Sequence, residues 1–421
     1  MSNWKHTTLG KIASIITGPF GSQLHQSDYV ESGIPIVMPQ NIDDRKINHD
    51  GINYICEKDA LRLKKYRAIE NDILYARRGD IEKHAFINKC DNGVYCGTGC
   101  LRVRVFSQEI DPLFLSFFLN KAETRKWLVT HAVGSNMPNL NTDILAAVPV
   151  SYPPIEQQRQ IARVLNCIDE KITTNNRVND NLEHQLQDIY NYWFTQFDFP
   201  DVNGQPYKSS GGAMVWNEQL KRKIPANWQL KQLGEVCAFR NGINYDKDVA
   251  GDKTYRIINV RNISSSTTLL SEDELDEIIL PQKHADKYCV AAESIIIARS
   301  GIPGATRILY RPSANTIFCG FIICGTPIES NMQYYLMLLL KQLEGSSATQ
   351  TGGSILKNVS QDTLGDLLVP IPPKDVLAAF NHQAIQALDL IHNNLNESAN
   401  LRKLRDWLLP MLMNGQATVS D

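Results

Sequence analysis

No CxxC pair occurs among the nine cysteines, and no stretch of the 421 residues stays apolar for the roughly 18–20 residues that a bilayer span requires. An odd set of thiols without close pairs argues against a disulfide framework and fits a reducing compartment. The opening MSNWKHTTLGKI also lacks the apolar core of a signal peptide, so the expected location is the cytoplasm. A basic excess is missing as well: 43 Lys and Arg stand against 45 Asp and Glu, a formal net charge of −2. A nucleic-acid binder that works alone usually carries a positive surplus, so any such role must draw affinity from elsewhere. There is no GxxxxGK[ST] loop for ATP. The only Pro-Pro steps read YPPI and IPPK, not the [DNS]-PP-[YFW] order that holds a flipped base for methylation. CGTGC at 96–100 is expected to be a tight turn rather than a cofactor loop. No catalytic residue is assigned, and no cofactor is expected in this chain.

What is present is a repeat. SYPPIEQQRQIARVLNCIDEKI at 151–172 returns as PIPPKDVLAAFNHQAIQALDLI at 370–391. WKHTTLGKIASIITG from Trp4 matches WQLKQLGEVCAFRNG from Trp228, IVMPQNI at 36–42 matches IINVRNI at 257–263, and NDILYARRG at 71–79 matches ESIIIARSG at 293–301. GSNMPNLNTDIL at 134–145 matches GSILKNVSQDTL at 353–364. The order is kept and the offset drifts only slightly, which is the mark of a tandem duplication. The expected segments are a first globule at 1–152, a long helix at 153–199, a flexible linker at 200–224, a second globule at 225–371 and a second long helix at 372–421.

Within each globule, IPIVMP, YRIINV, SIIIARS and TIFCGFIICG read as strands, while DPLFLSFFLNKAETRKWL and MQYYLMLLLKQL read as helices. The fold class is therefore α+β: two mixed, β-rich domains joined by long helices. The first helix places Ile161, Leu165, Ile168, Ile172, Asn175, Asn179, Leu182, Leu186, Ile189 and Trp193 at alternating steps of four and three. That is a heptad seam. The second repeats it with Phe380, Ala384, Ala387, Ile391, Asn394, Ser398, Leu401, Arg405, Leu408 and Leu412. Each helix would run about 50 Å, and the two are expected to pack antiparallel as a stalk, their polar seam positions fixing register. Proline ends strand pairing but suits a first helical turn, so each Pro-Pro makes a rigid exit from globule to helix.

Two similar readers held about 50 Å apart suit two half-sites on B-DNA separated by about 15 base pairs. The motifs TGPFGSQL, GIPIVMPQNI, NDILYARRG, GSNMPNL, PPIEQQRQIARVL, YNYWFTQFDF, PANW and LRKLRDWLLPMLMNGQATV, in that order along nearly the whole chain, resemble the specificity subunit of type I restriction-modification enzymes. The resemblance implies two target-recognition domains, each reading one part of a split sequence in double-stranded DNA. It also implies helices that dock two modification (methyltransferase) subunits, with restriction subunits that translocate and cut joining them, and no membrane. S-adenosylmethionine, ATP and Mg would then sit on those partners. The second half departs from the pattern: GPFGS becomes NGINY, and PPKDVLAAF replaces the PP-E-Q-Q segment. The rival class is a coiled-coil adaptor whose two globules bind proteins.

Candidate DNA-reading residues are polar groups near glycine-bounded turns: Ser22, Gln23, Gln40, Asn41, Arg77, Arg78, Ser135 and Asn136 in the first domain. In the second they are Asn244, Arg261, Asn262, Arg299, Ser354 and Lys357. Arg77 and Arg299 lead because they fall at matched positions, and arginine grips guanine O6 and N7 together. For each, the alternative is an ordinary surface charge or loop cap. Helix docking is expected of the seams and their outer faces, with Ile161, Leu165, Ile168, Ile172, Asn175, Asn179, Leu182, Leu186, Ile391, Asn394, Leu401 and Leu408 as the marked positions. His84, Cys90, Cys96 and Cys100 could form a zinc set, but their spacing lacks a close pair and incidental thiols are expected. The pairs Asp43–Asp44 and Asp72 with Asp80 are expected to be solvated loop charges.

Overall fold

Every strand of the first repeat longer than two residues has a counterpart in the second, whereas the two-residue strands Tyr29–Val30, Ile42–Asp43 and Lys46–Ile47 have none among the described residues. The computed structural model describes residues 4–134, 138–245, 251–344 and 359–419, and the chain divides into two compact units, residues 1–171 with 401–421, and residues 172–400. In the first unit, Lys5–Thr8 pairs antiparallel with Pro149–Tyr152, closing the start of the first globule on its end. A four-stranded sheet follows in the order Ala13–Thr17, Cys100–Val105, Ile73–Ala76, His84–Phe86. A second sheet sets Tyr95–Cys96 parallel to Ile34–Val37, which pairs antiparallel with Asn53–Ile55. The second unit repeats this. Gln229–Gln232 pairs with Leu368–Ile371, and Cys237–Asn241, Ile322–Pro327, Ile295–Ala298 and Thr306–Ile308 form the four-stranded sheet. Thr316–Phe318 lies parallel to Lys253–Ile258, which pairs antiparallel with Asp276–Leu280.

The apolar runs explain the central strands. Ile295, Ile296, Ile297 and Ala298 are all buried, as are Ile73, Leu74, Tyr75 and Ala76, because each strand is covered on both faces. The expected helix at 111–128 is two: Pro112–Leu119, capped by Asp111 accepting from the Phe114 amide at 2.9 Å, and Ala122–His131. They part where the Asn120 amide turns back to the Phe117 carbonyl. The stretch 316–325 likewise divides at Cys319–Phe321 into two strands of different sheets.

Both Pro-Pro steps end a strand and open a helix, Ile155–Tyr190 and Lys374–Met413. In the first, buried Gln158 locks the exit: its amide nitrogen donates to the Glu109 and Pro153 carbonyls, both at 2.8 Å, and its oxygen accepts from the Asp111 amide at 2.9 Å. The second copy has Leu377 at the equivalent place, buried in the apolar core, which explains why PP-E-Q-Q does not recur there.

The helices are not a stalk apart from the globules. Within the first unit, Ile161 and Leu165 share one core with Leu115, Leu128, Leu409, Leu412 and Met413. Within the second, Leu186, Tyr190 and Phe194 pack with Tyr335, Phe380, Leu388 and Ile391. The contacts run antiparallel in each unit: Asp169 meets Arg405 in one, while Asn179 meets Asn394 and Tyr190 meets Phe380 in the other. The seam's polar positions form a layer in which Asn175, Asn179 and Ser398 are buried and Asn394 is half-buried. Asn175 donates to Glu397 at 2.8 Å and to Ser398 at 3.2 Å, and Asn394 donates to the Asn179 side-chain oxygen at 2.8 Å. Sliding either helix would strand these groups without partners, so the layer fixes register.

The linker is ordered, contrary to the expectation of a flexible return. Met214–Asn217 and Arg222–Pro225 form a hairpin, Phe199 stacks on Tyr207 and Trp228, and Asp198 accepts from the Ser209 amide at 2.7 Å. Aromatic burial outweighs the looseness of its Gly and Ser residues.

Charge is buried where the first domain meets its helices. Arg45, in a left-handed backbone conformation at φ +58°, lies with its guanidinium carbon 3.3 Å from the centroid of the Phe117 ring and donates to Ser116 at 3.0 Å and to Asp169. Arg405 of the second long helix holds the other oxygen of Asp169 at 3.0 Å. Asp44 pairs with Arg125 at 2.6 Å. The carboxylates expected to be solvated thus divide: Asp43 and Asp80 are exposed, whereas Asp72 is 1% exposed and grips Arg104 through two bonds of 2.6 and 2.7 Å. Removing the Asp169 carboxylate, whose side chain is 13% exposed, leaves the buried Arg45 cation uncompensated, so Asp169→Asn is expected to cost about 3 kcal/mol. The denaturant midpoint of the full chain measures it, and a loss under about 1 kcal/mol would mean that water replaces the carboxylate.

Candidate nucleic-acid interface

The two four-stranded sheets end in equivalent corners. In the first, the chain leaves the strand Ala13–Thr17 through Gly18, whose amide donates to the Cys100 carbonyl at 2.9 Å. A Cβ on Gly18 would lie 2.1 Å from the Gly97 carbonyl oxygen; one on Gly242 would lie 2.1 Å from that of Cys319. Only glycine permits either approach. Beside it the strand Ile73–Ala76 ends in Arg77, whose amide donates to Gly99 at 2.7 Å and whose carbonyl accepts from Leu140 at 2.9 Å. Arg299 repeats both bonds, to Phe321 at 2.9 Å and from Val359 at 3.0 Å. Gly79 and Gly301 then turn the chain with the same φ of +79°.

The groups around each arginine differ. Pro39, next to Gln40, approaches Gly99, while Val260, next to Arg261, approaches Gly301. Phe20 stands where the second copy has Asn244, whose side chain lies against Gly320; Gly99 stands where it has Phe321. Phe20 is 57% exposed and Phe321 63%. One scaffold thus presents a shared arginine among exchanged neighbours: Phe20 for Asn244, Gln40 for Arg261, Arg78 for Ser300 and Gly99 for Phe321. Next to Phe321 a cleft of about 1090 Å³ opens, lined also by Tyr245, Asn259, Arg261 and Asp276.

Of the expected readers, Arg77 and Arg299 are half-buried at these corners, and Ser22, Gln40, Arg78 and Asn244 are exposed. Gln23 is exposed, but its side chain accepts from the Tyr66 hydroxyl at 2.7 Å. Arg261 is exposed and paired with Asp276. Asn41 and Asn262 are a correction. Both are buried caps: Asn41 accepts from the Met38 amide at 3.1 Å and donates to the Asn48 carbonyl at 3.1 Å, while Asn262 accepts from the Asn259 amide at 2.8 Å and donates to the Glu274 carbonyl at 2.9 Å. Their recurrence in the repeat reflects a shared turn rather than a shared ligand. Ser135, Asn136, Ser354 and Lys357 lie outside the described residues. The sequence reading missed Phe20, Phe321 and Asn139, which accepts from Arg77 Nε at 3.1 Å. The signal for the last was present, since Asn139 aligns with Asn358.

The helix positions are used inside the chain. Ile161, Leu165, Ile168, Ile172, Asn175, Asn179, Leu186 and Ile391 are buried, and Leu182, Asn394, Leu401 and Leu408 are half-buried. A partner could therefore meet only the outer faces, where Leu404 and Trp407 are exposed. Truncation before Leu401 would open the first unit's core rather than remove a docking face alone.

Among the described residues, no group of three or more His, Cys, Asp or Glu side chains is placed to hold a metal ion. Cys90 is exposed, and burial pushes the Cys96 thiol up to about 12 and that of Cys100 well above its usual value. Gly97 and Gly99 serve the tight turn that returns the Cys100 amide to the Gly97 carbonyl at 3.2 Å. His84, fully buried, contacts Ser116 Oγ through Nε2 at 3.0 Å. Burial, helped by the nearby charges of Arg45 and Arg125, lowers its pKa from 6.5 to about 3.

The family described as "Type I restriction modification DNA specificity domain" matches residues 1–184 and 225–403, and the chain belongs to it. It is 26% identical to the type I restriction enzyme MjaIX specificity subunit of Methanocaldococcus jannaschii, over 72% of this chain and 69% of that one. It is 20% identical to the HindI specificity subunit of Haemophilus influenzae, over 99% of this chain and 100% of that one. The solved S subunit of a type I restriction-modification system from M. genitalium shares the fold, with a TM-score of 0.58 at 16% identity, covering 97% of this chain and 96% of that one. No described helix is long and apolar enough to cross a membrane.

Two tests follow from this geometry. Arg77→Ala and Arg299→Ala are each expected to change sequence preference in one half of the target only, measured as methylation rates by the assembled complex on a panel of duplexes; unchanged profiles would remove both from the reading set. His84 sets an acid limit: between its ordinary pKa and about 3 the unfolded chain binds a proton that the folded chain refuses. Stability present above pH 6.5 is therefore lost as pH falls, by about 2 kcal/mol at pH 5 from this group alone. His84→Gln should show a correspondingly shallower loss in thermal midpoint between pH 7 and 5.

Proposed function

We propose that this chain is the sequence-reading subunit of a type I restriction-modification complex, in which each recognition domain contacts one element of a split DNA target. The supporting observation is the pair of corners: one backbone frame with one arginine at its centre, surrounded by different side chains. A shared frame fits the same duplex backbone twice. Exchanged neighbours fit two different base sequences, because base edges in the major groove differ in donor, acceptor and methyl pattern.

Chemistry and much of the affinity belong to partners in this reading. The first domain carries 18 basic and 16 acidic groups over residues 1–150, and the second 13 and 15 over residues 225–370. Such balance releases few counterions from the duplex, and counterion release supplies most of the salt-dependent affinity of DNA-binding proteins. Modification subunits that bind S-adenosylmethionine, docked on the outer helix faces, would close around DNA and methylate it. Restriction subunits using ATP and Mg would join that core. The described corners present arginine, amide and aromatic groups suited to recognition, and the catalytic step is assigned to the modification subunits.

The test is co-expression with the neighbouring modification subunit in an unmethylated host, followed by genome-wide mapping of methyladenine. Two short elements around a fixed gap are expected. No new methylation from a complex shown to assemble would overturn the reading in favour of a protein-binding adaptor.

A further inference from the structure

Arginine reads guanine well only when its fork is aimed, since a free side chain loses much of the contact energy to ordering. Arg77 is aimed. Its Nε donates to the Asn139 side-chain oxygen at 3.1 Å, and this contact also fixes the Asn139 amide, because a guanidinium can only donate. Asn139 is itself held. Its amide donates to the Val133 carbonyl at 2.9 Å, its carbonyl accepts from the Val133 amide at 3.2 Å, and the next residue, Leu140, donates to the Arg77 carbonyl. Among the described residues neither Nη nitrogen of Arg77 has a hydrogen-bond partner. The side edge of the guanidinium is occupied by the protein, while among the described residues nothing takes the paired Nη edge, which is left for a ligand. That edge spans two acceptors, which is what guanine O6 and N7 offer in the major groove.

Resting on the proposed function, we infer that Asn139 is a positioning residue: it holds Arg77 so that its paired Nη edge reads one guanine in the first element of the target. Asn139 touches no base itself. Its loss would leave the arginine charge in place but unaimed, so phosphate attraction persists while discrimination at one base pair falls.

The experiment uses the full complex with its modification subunit. Methylation rates are measured on duplexes in which each position of the first and second elements is changed in turn, for the wild type, Asn139→Ala and Asn139→Asp. Asn139→Ala is expected to lose on the order of ten-fold in preference for guanine at one first-element position, with the second element unaffected, matching the loss of one bidentate base contact. Asn139→Asp should retain most of that preference, since a carboxylate oxygen also accepts from Nε. A wild-type profile in Asn139→Ala would overturn the assignment. So would a loss spread evenly over both elements, which indicates a structural role, or an Asp variant as impaired as Ala at an unchanged thermal midpoint, which means that the contact to Nε does not aim the arginine. A wild-type complex that methylates no split motif would overturn the proposed function instead, which separates the two failures.

Discussion

One carboxylate in the first unit is shared by two guanidiniums from distant parts of the chain. Asp169 on the first long helix receives Arg45 from the recognition domain and Arg405 from the second long helix, with the Phe117 ring beneath Arg45. The apolar core around it could tolerate small slips of one helix along another, because hydrophobic burial has no direction. An ion triad with Arg45 buried and its partners half-buried cannot, since every displacement leaves a charge without its partner. Arg45 reaches the carboxylate from a backbone of positive φ, and Ser116 and His84 lie fully buried beside it. In the second unit the same task falls to the layer of Asn175, Asn179, Asn394 and Ser398, joined by the Glu397 carboxylate, whose hydrogen bonds are equally specific in register.

The repeat made much of this architecture legible. Strand runs such as SIIIARS, both helix exits and the polar breaks in the seam could all be placed from residue pattern, because burial on two faces and heptad spacing leave clear periodicities. The stalk was misjudged for a physical reason. A heptad seam says that one face is buried but not against what, and here Leu165, Leu186 and Phe380 belong to the domain cores. The linker was misjudged because Gly and Ser frequency outvoted Phe197, Phe199, Tyr207 and Trp228, whose mutual packing orders it.

At the candidate site, pattern recognised positions but not roles. Arg77 and Arg299 follow apolar strands at matched places, and the structure sets them in equivalent backbone frames. Asn41 and Asn262 looked equally suitable, being polar, repeated and next to a turn. Only their hydrogen bonds show that each is spent on capping. Repetition in a duplicated chain marks what the scaffold requires at least as often as what a ligand requires. The exposed Phe20 and Phe321 carry the opposite signal: they occupy non-equivalent sequence positions at equivalent corners, so no alignment of the halves pairs them.

Residues 401–421 complete the first unit, where Leu409, Leu412 and Met413 pack beside Ile161 and Leu165. The ribosome makes this segment only after the whole second unit. Throughout synthesis of that unit the first domain must wait with part of its core open to solvent, shielded by whatever chaperone or transient contact the cell provides. A translational stop within the second long helix, after the second unit has been made, would therefore leave the core of the first unit incomplete.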